Sequence, residues 1–233
     1  MKLAIITGAS AGIGQSSAET FLSEGYTVFN LSRRPCPVAG IHNIACDLAS
    51  PSDIDTACDT LLETVKAATC VALVHNACQM RKDSTTACDS DSLREVMETN
   101  VIAVNSLNQK LLPHLPGTSS VLYIGSTLSE KAVPGSLSYV ISKHALLGMM
   151  RASVQDLMGC GIHTALICPG FTNTEMLQTH LGNNDEITRA IASMNSYNRL
   201  VEPEEIARFI FWSHCNPVIN GAVLHANLGQ KES

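Results

Sequence analysis

Long hydrophobic runs are missing from this chain. Its N-terminal apolar stretch, Leu3-Ala4-Ile5-Ile6, gives way to Thr7-Gly8 at once. A membrane-spanning helix needs about 20 apolar residues and a leader core about 7–15, so neither a bilayer span nor a signal peptide is expected. An excess of positive charge is missing too. Fifteen Lys+Arg against 21 Asp+Glu leave a net charge of -6, which sets nucleic acids and anionic membranes aside as partners. There is no block of like charge, no repeat and no low-complexity tract. Cysteines number nine, yet none stands as Cys-x-x-Cys and no histidine falls beside them at zinc spacing, so no metal site is expected. Several, such as Cys70 and Cys168, lie inside apolar runs. They read as reduced cysteines acting as small hydrophobes, which points to the cytoplasm rather than to a disulfide framework.

What is present describes a compact protein: 233 residues, 45% hydrophobic and 15% charged, enough for one domain spanning 1–233. Short apolar runs alternate with helical patterns from end to end, which predicts an α/β fold, a doubly wound parallel sheet with helices on both faces. Leu3–Ile6 leads into Thr7-Gly8-Ala9-Ser10-Ala11-Gly12-Ile13-Gly14 and then a helical stripe of Ala18, Phe21 and Leu22. Strand, glycine loop and helix N-terminus in that order can cradle a pyrophosphate, because backbone N–H groups and the helix dipole both favour an anion. A plain tight turn is the alternative for the loop taken alone.

A second stretch carries chemistry. In Ser138-Tyr139-Val140-Ile141-Ser142-Lys143, Tyr139 and Lys143 stand four apart and share a helix face with Leu146, Leu147 and Met150. An ammonium there favours the phenolate, so Lys143 is expected to pull the Tyr139 pKa below its usual value of about 10. Tyr-x-x-x-Lys by itself is a weak signal.

Together, Thr-Gly-x-x-x-Gly-Ile-Gly and Tyr139-x-x-x-Lys143 resemble the nucleotide loop and the catalytic pair of the short-chain dehydrogenase/reductase family. The resemblance extends along the chain. It implies cofactor contacts at Gly8, Ser10, Gly12, Ile13 and Gly14, and at Asp47-Leu48, where the family has an acidic residue facing the adenine. His75-Asn76-Ala77-Cys78 stands where the family usually shows Asn-Asn-Ala-Gly. Asn76 and Ala77 match; His75 and Cys78 depart. Asn100 matches an asparagine that holds a water leading to the catalytic lysine. Ser126, thirteen residues before Tyr139, matches the catalytic serine. Pro169-Gly170, Thr172 and Thr174 match the loop beside the nicotinamide, and Ala226-Asn227-Leu228-Gly229 is a loose form of the family's Val-Asp-Gly-Gly. The polar segment 172–200 occupies the substrate-lid position.

At the end of the second strand, where a carboxylate would grip the ribose of NAD, stand Ser32 and Arg33. Arg33 can pair with a 2′-phosphate, which points to NADP(H); a solvated turn carrying arginines is the alternative. The implied activity is reduction of a small-molecule carbonyl to an alcohol, or the reverse. Asn100, Ser126, Tyr139 and Lys143 form the expected catalytic set, and Lys143 also holds the nicotinamide ribose. The family implies a homodimer or homotetramer joined through the helices of Asn100 and Tyr139. A catalytically silent NADP(H)-binding sensor is the rival, favoured by His75, Cys78 and the loose C-terminal motif.

Overall fold

The apolar runs at 3–7, 71–75, 120–124 and 163–169 become strands buried on both faces, as central parallel strands under crossover helices are. The computed structural model describes residues 1–231. Their order is β1 (Lys2–Thr7), α1 (Gly12–Ser23), β2 (Thr27–Ser32), β3 (His42–Ala45), α2 (Pro51–Lys66), β4 (Cys70–His75), α3 (Ser90–Met97), α4 (Ala103–Leu111), β5 (Ser120–Ile124), α5 (Leu137–Asp156), β6 (His163–Pro169), α6 (Glu175–Leu181), α7 (Asp185–Ala192), α8 (Pro203–Cys215) and β7 (Ala222–Ala226). Among the described residues the strands form one sheet in the order β3-β2-β1-β4-β5-β6-β7, and every pairing is parallel. The fold class matches the expectation. The chain winds outward from β1 and then restarts at β4, so the crevice beyond the carboxyl ends of β1 and β4 is the topological switch point.

Alternation along β1 divides the core. Leu3 and Ile5 point into a layer closed by Leu61 of α2, Leu107 of α4 and Leu146 of α5. Ala4 and Ile6 point the other way, against Phe21 of α1 and Ile206 and Ile210 of α8. The helix starts follow local chemistry. Ser50 accepts from Asp53 N and Pro51 opens α2, while Pro203 opens α8 behind a reciprocal cap between Glu202 and Glu205.

One expected element differs. The periodicity over 90–115 predicts a single long helix, but the chain forms α3, then a π-helical turn over Glu98–Ile102, then α4, then a 3-10 turn over Leu112–His114. The π turn carries Asn100 into the interior, where it is 1% exposed. Insertions of this kind gather at functional sites.

Two buried histidines tie layers together. His214 of α8 lies between the Tyr26 hydroxyl (2.9 Å) and Ser120 Oγ (2.7 Å), and His75 Nε2 lies 2.8 Å from Asn108 Oδ1. Burial pushes both rings down to about 4. An unfolded histidine takes a proton near pH 6.5, so between pH 6.5 and 4 the unfolded chain binds more protons than the native one. Stability is therefore expected to fall as pH drops through that window, by a few kcal/mol for the pair. Denaturant unfolding at pH 7, 5.5 and 4.5 measures it, and His214→Gln should flatten the slope; a free energy of unfolding that is level over the range contradicts the assignment.

Candidate active site

The cleft at the switch point has a volume of about 1240 Å³ and is lined from the glycine loop to α6. At its floor the glycine loop is held by side chains rather than left free. Asn30 Oδ1 accepts from Ala9 N (2.9 Å), and the Thr7 hydroxyl accepts from the backbone N–H groups of Asn76 and Ala77 (3.0 Å each). Asn76 Nδ2 returns the tie, donating to Thr7 O (3.0 Å) and Gly8 O (3.2 Å). Two glycines are required by geometry. Gly12 has φ +55°, and a Cβ on Gly14 would lie 2.3 Å from Gly8 O. The first turn of α1 has no side-chain cap and no acidic residue. Its N–H groups thus open onto the cleft as an anion cradle, and a dinucleotide pyrophosphate fits it.

At one end of the cleft Ser32, Arg33, Asp47 and Leu48 form the wall. Ser32 Oγ donates to Arg34 O at 2.5 Å, and Asp47 Oδ1 accepts from Ala49 N at 3.0 Å. No carboxylate ends β2. Arg33 is exposed and lines the wall, whereas Arg34 reaches across the opening to Glu175 of α6 at 3.5 Å. The opposite wall is the β6 end. Gly170 N donates to Ala226 O, and the Thr172 hydroxyl donates to Gly170 O. Thr174 caps α6 and sets its methyl group beside Gly12, so the lid segment touches the glycine loop directly.

Ser126, Tyr139 and Lys143 come together at the carboxyl end of β5. Lys143 Nζ donates to Ile124 O at 2.7 Å and lies 5.4 Å from the centre of the Tyr139 ring. Ser126 lines the cleft beside the phenol and favours its charged form, and its hydroxyl accepts from Leu128 N at 3.1 Å. The expected direction of the Tyr139 shift is corrected: burial pushes the phenol above its ordinary range, and the opposing pull of Lys143 and Ser126 is the smaller effect. For Lys143, burial works against the charged form, but Cys78, Tyr139 and Cys168 more than offset it and the amine is held above its ordinary range. Neutral phenol beside ammonium is thus the resting pair.

Asn100 lies on the far side of the first turn of α5. Its Oδ1 accepts from Gln79 N (2.7 Å), and its Nδ2 donates to Gln79 O (2.9 Å) and Ser142 Oγ (3.0 Å). Ser142 in turn donates to Tyr139 O at 2.8 Å. Among the described residues these side-chain partners leave the Asn100 amide engaged with the β4 loop and α5, and Lys143 is not among them.

Residues 8–231 match the family described as enoyl-(acyl carrier protein) reductase. The chain belongs to the short-chain dehydrogenase/reductase family. It is 24% identical over 240 residues to the 3-oxoacyl-(acyl-carrier-protein) reductase FabG of Vibrio harveyi, covering 98% of this chain and 96% of that protein. It is 27% identical over 230 residues to the A-factor type gamma-butyrolactone 1′-reductase (1S-forming) of Streptomyces virginiae, covering 91% and 87%. Among solved structures it is similar to a short chain dehydrogenase from Burkholderia cenocepacia J2315 in complex with NADP, with a TM-score of 0.88, 25% identity, and 98% and 97% of the two chains covered.

Against the pattern of that short-chain dehydrogenase/reductase family, two departures have local explanations. His75 turns away from the cleft into a buried chain with Asn108, whose amide donates to the Tyr123 hydroxyl at 2.9 Å. Cys78 lines the cleft and favours the charged form of Lys143, which a glycine there could not do. Sequence reasoning missed Asp83. Helix α5 has no side-chain cap from Ser136 and no acid in its first turn. Asp83, from the loop after β4, supplies the cap: one carboxylate oxygen accepts from Ser138 N at 3.0 Å and the other from the Ser138 hydroxyl. The uncapped helix start was the available signal, but nothing local names a partner 55 positions away. Asp83→Ala removes two charge-assisted hydrogen bonds one residue from Tyr139. It should cost about 1–3 kcal/mol of stability and lower turnover more than cofactor affinity, with Asp83→Asn falling between. Melting, kcat and cofactor titration on both variants check this; wild-type turnover in Asp83→Ala would show that the cap does not position α5.

Proposed function

We propose that this protein is an NADP(H)-dependent oxidoreductase that reduces a small-molecule aldehyde or ketone to an alcohol, or runs the reverse reaction. The reading rests on Ser126, Tyr139 and Lys143 meeting an uncapped, glycine-lined helix N-terminus in one cleft. When bound, the nicotinamide cofactor supplies the hydride chemistry. Gly8, Ser10, Gly12, Ile13 and Gly14 would hold its pyrophosphate. Asp47, Leu48, Asn76, Ala77, Pro169, Gly170, Thr172 and Thr174 would border the adenine and nicotinamide ends.

Charge decides the work of the protein's own residues. As a carbonyl carbon is reduced, negative charge gathers on its oxygen. Ser126 donates a hydrogen bond to that oxygen, and Tyr139, kept neutral by burial, gives it a proton. Lys143 stabilises the phenolate left behind and would hold the nicotinamide ribose. Asn100 acts as the keel of this arrangement: through Ser142 it fixes the first turn of α5, and a water beside it would return the proton to Lys143. A sensor without catalysis has no use for a proton donor at this place. One domain over 1–233 with a lid at 172–200, an oligomer joined through the helices of Asn100 and Tyr139, and a cytoplasmic location complete the reading. Exposed Ile102 and Ile141 on those helices, and nine free cysteines, support the last two.

Tyr139→Phe keeps the ring for packing and removes only the proton. Reduction should slow by ~100-fold or more while cofactor binding holds; unchanged turnover would remove Tyr139 from the chemistry.

The choice of cofactor rests on the end of β2. A carboxylate there would repel a 2′-phosphate; Ser32 does not, and Arg33 can add a charge-assisted hydrogen bond of roughly 1.5–3 kcal/mol. At tenfold per ~1.4 kcal/mol this is a preference for NADPH of order ten- to a hundredfold. The lower half is expected, because Ala11 places no basic residue in the glycine loop. The NADP complex of the Burkholderia relative agrees with this direction. Ser32→Asp with Arg33→Ala should reverse the preference in fluorescence titrations, and equal or tighter NADH binding by the unmodified protein would refute it.

A further inference from the structure

The lid end of the cleft has a charge pattern that the proposed chemistry does not use. A side groove of about 400 Å³ opens there, and Lys82, Pro134, Ser136 and His180 line both it and the main cleft. Lys82 comes from the loop after β4 and His180 from the last turn of α6, so an ammonium and an imidazole from two separate segments line the junction. The acids nearby are already engaged. Glu175 pairs with Arg34, Glu95 pairs with Arg81, and both oxygens of Asp83 accept from Ser138. Among the described residues neither the Lys82 ammonium nor the His180 ring has a hydrogen-bond or ion-pair partner. Burial and then the charge of Lys82 hold the His180 ring below its ordinary range, so a neutral imidazole with an N–H to donate stands beside the ammonium.

Other walls of the main cleft are of another kind. Leu128, Val133, Met176, Leu177 and Leu181 line it together with Tyr139, an apolar surface with flexible methionine and leucine side chains. Lys82 is adjacent in sequence to Asp83, which touches Ser138, and Ser138 precedes Tyr139. The junction therefore adjoins the helix start that carries Tyr139.

Resting on the carbonyl-reductase reading, we propose that the substrate of this site carries an anionic group, a carboxylate or a phosphate, joined to its carbonyl by an apolar spacer. Lys82 and His180 receive the anion at the mouth of the side groove, and the apolar walls receive the spacer. Lys82 and His180 are thereby specificity-determining residues, separate from the groups that move the proton.

Binding rather than turnover tests this, so its outcome stands apart from that of the reductase reading. Octanoate, octyl phosphate and neutral octanamide are titrated calorimetrically into the protein with saturating NADP. At least one of the two anions should bind tenfold or more tightly than the amide, and which one does so separates a carboxylate site from a phosphate site. Lys82→Met keeps the aliphatic stem and should bring that anion to the level of the amide; His180→Gln should move it part of the way. Lys82 is exposed, and an unchanged melting temperature confirms that the variant is folded. Equal binding of all three probes, no binding of any of them, or an equal loss for anion and amide in Lys82→Met would overturn the proposal. A protein that binds the anion through Lys82 but consumes NADPH with no carbonyl would retain the anion site and lose the reductase reading.

Discussion

The buried ammonium of Lys143 is the constraint on which the candidate site depends. A charge 1% exposed at the end of a sheet is costly unless its protons are used. Here the Ile124 carbonyl takes one at 2.7 Å, the face of Tyr139 lies 5.4 Å away, and Cys78 favours the charged form. These partners come from three sources: the end of β5, the loop after β4 and the first turn of α5. The ammonium is satisfied only if all three are in register. The same requirement fixes the phenol of Tyr139 beside Ser126.

Polar ties between loops keep that register. Thr7 and Asn76 clamp the glycine loop to the loop after β4, and Asn100 carries the clamp onward through Gln79 and Ser142 to α5. Asp83 closes the other side by capping the same helix. The glycine loop and Tyr139 are thus parts of one hydrogen-bonded frame, although more than a hundred residues separate Gly14 from Tyr139. Buried amides in such a frame are held firmly, because leaving one unpaired costs about 1–3 kcal/mol.

What the sequence disclosed followed the range of the interaction. Parallel strands, the glycine loop and the Tyr139–Lys143 face are local patterns, and they were legible. The π turn at Asn100 was not, because its extra residue per turn depends on Gln79 and Ser142, which local periodicity does not register. The Asp83 cap was invisible for the same reason. The direction of the Tyr139 shift was misread because proximity to Lys143 can be inferred from spacing, whereas the larger effect, burial, requires the folded chain. The 172–200 segment read only as one polar stretch. It resolves into α6 and α7, with Thr174 and Asn184 as caps and Gly182 in the left-handed conformation between them.

The central claim is that this cleft performs chemistry and does not merely hold a nucleotide. The most direct measurement follows the absorbance of NADPH at its nicotinamide band while purified protein meets a broad panel of aldehydes, ketones and quinones. The geometry of Ser126, Tyr139 and Lys143 predicts protein-dependent consumption with at least one of them. Tight NADPH binding with no consumption across the whole panel would contradict it and leave a nucleotide-binding sensor in its place.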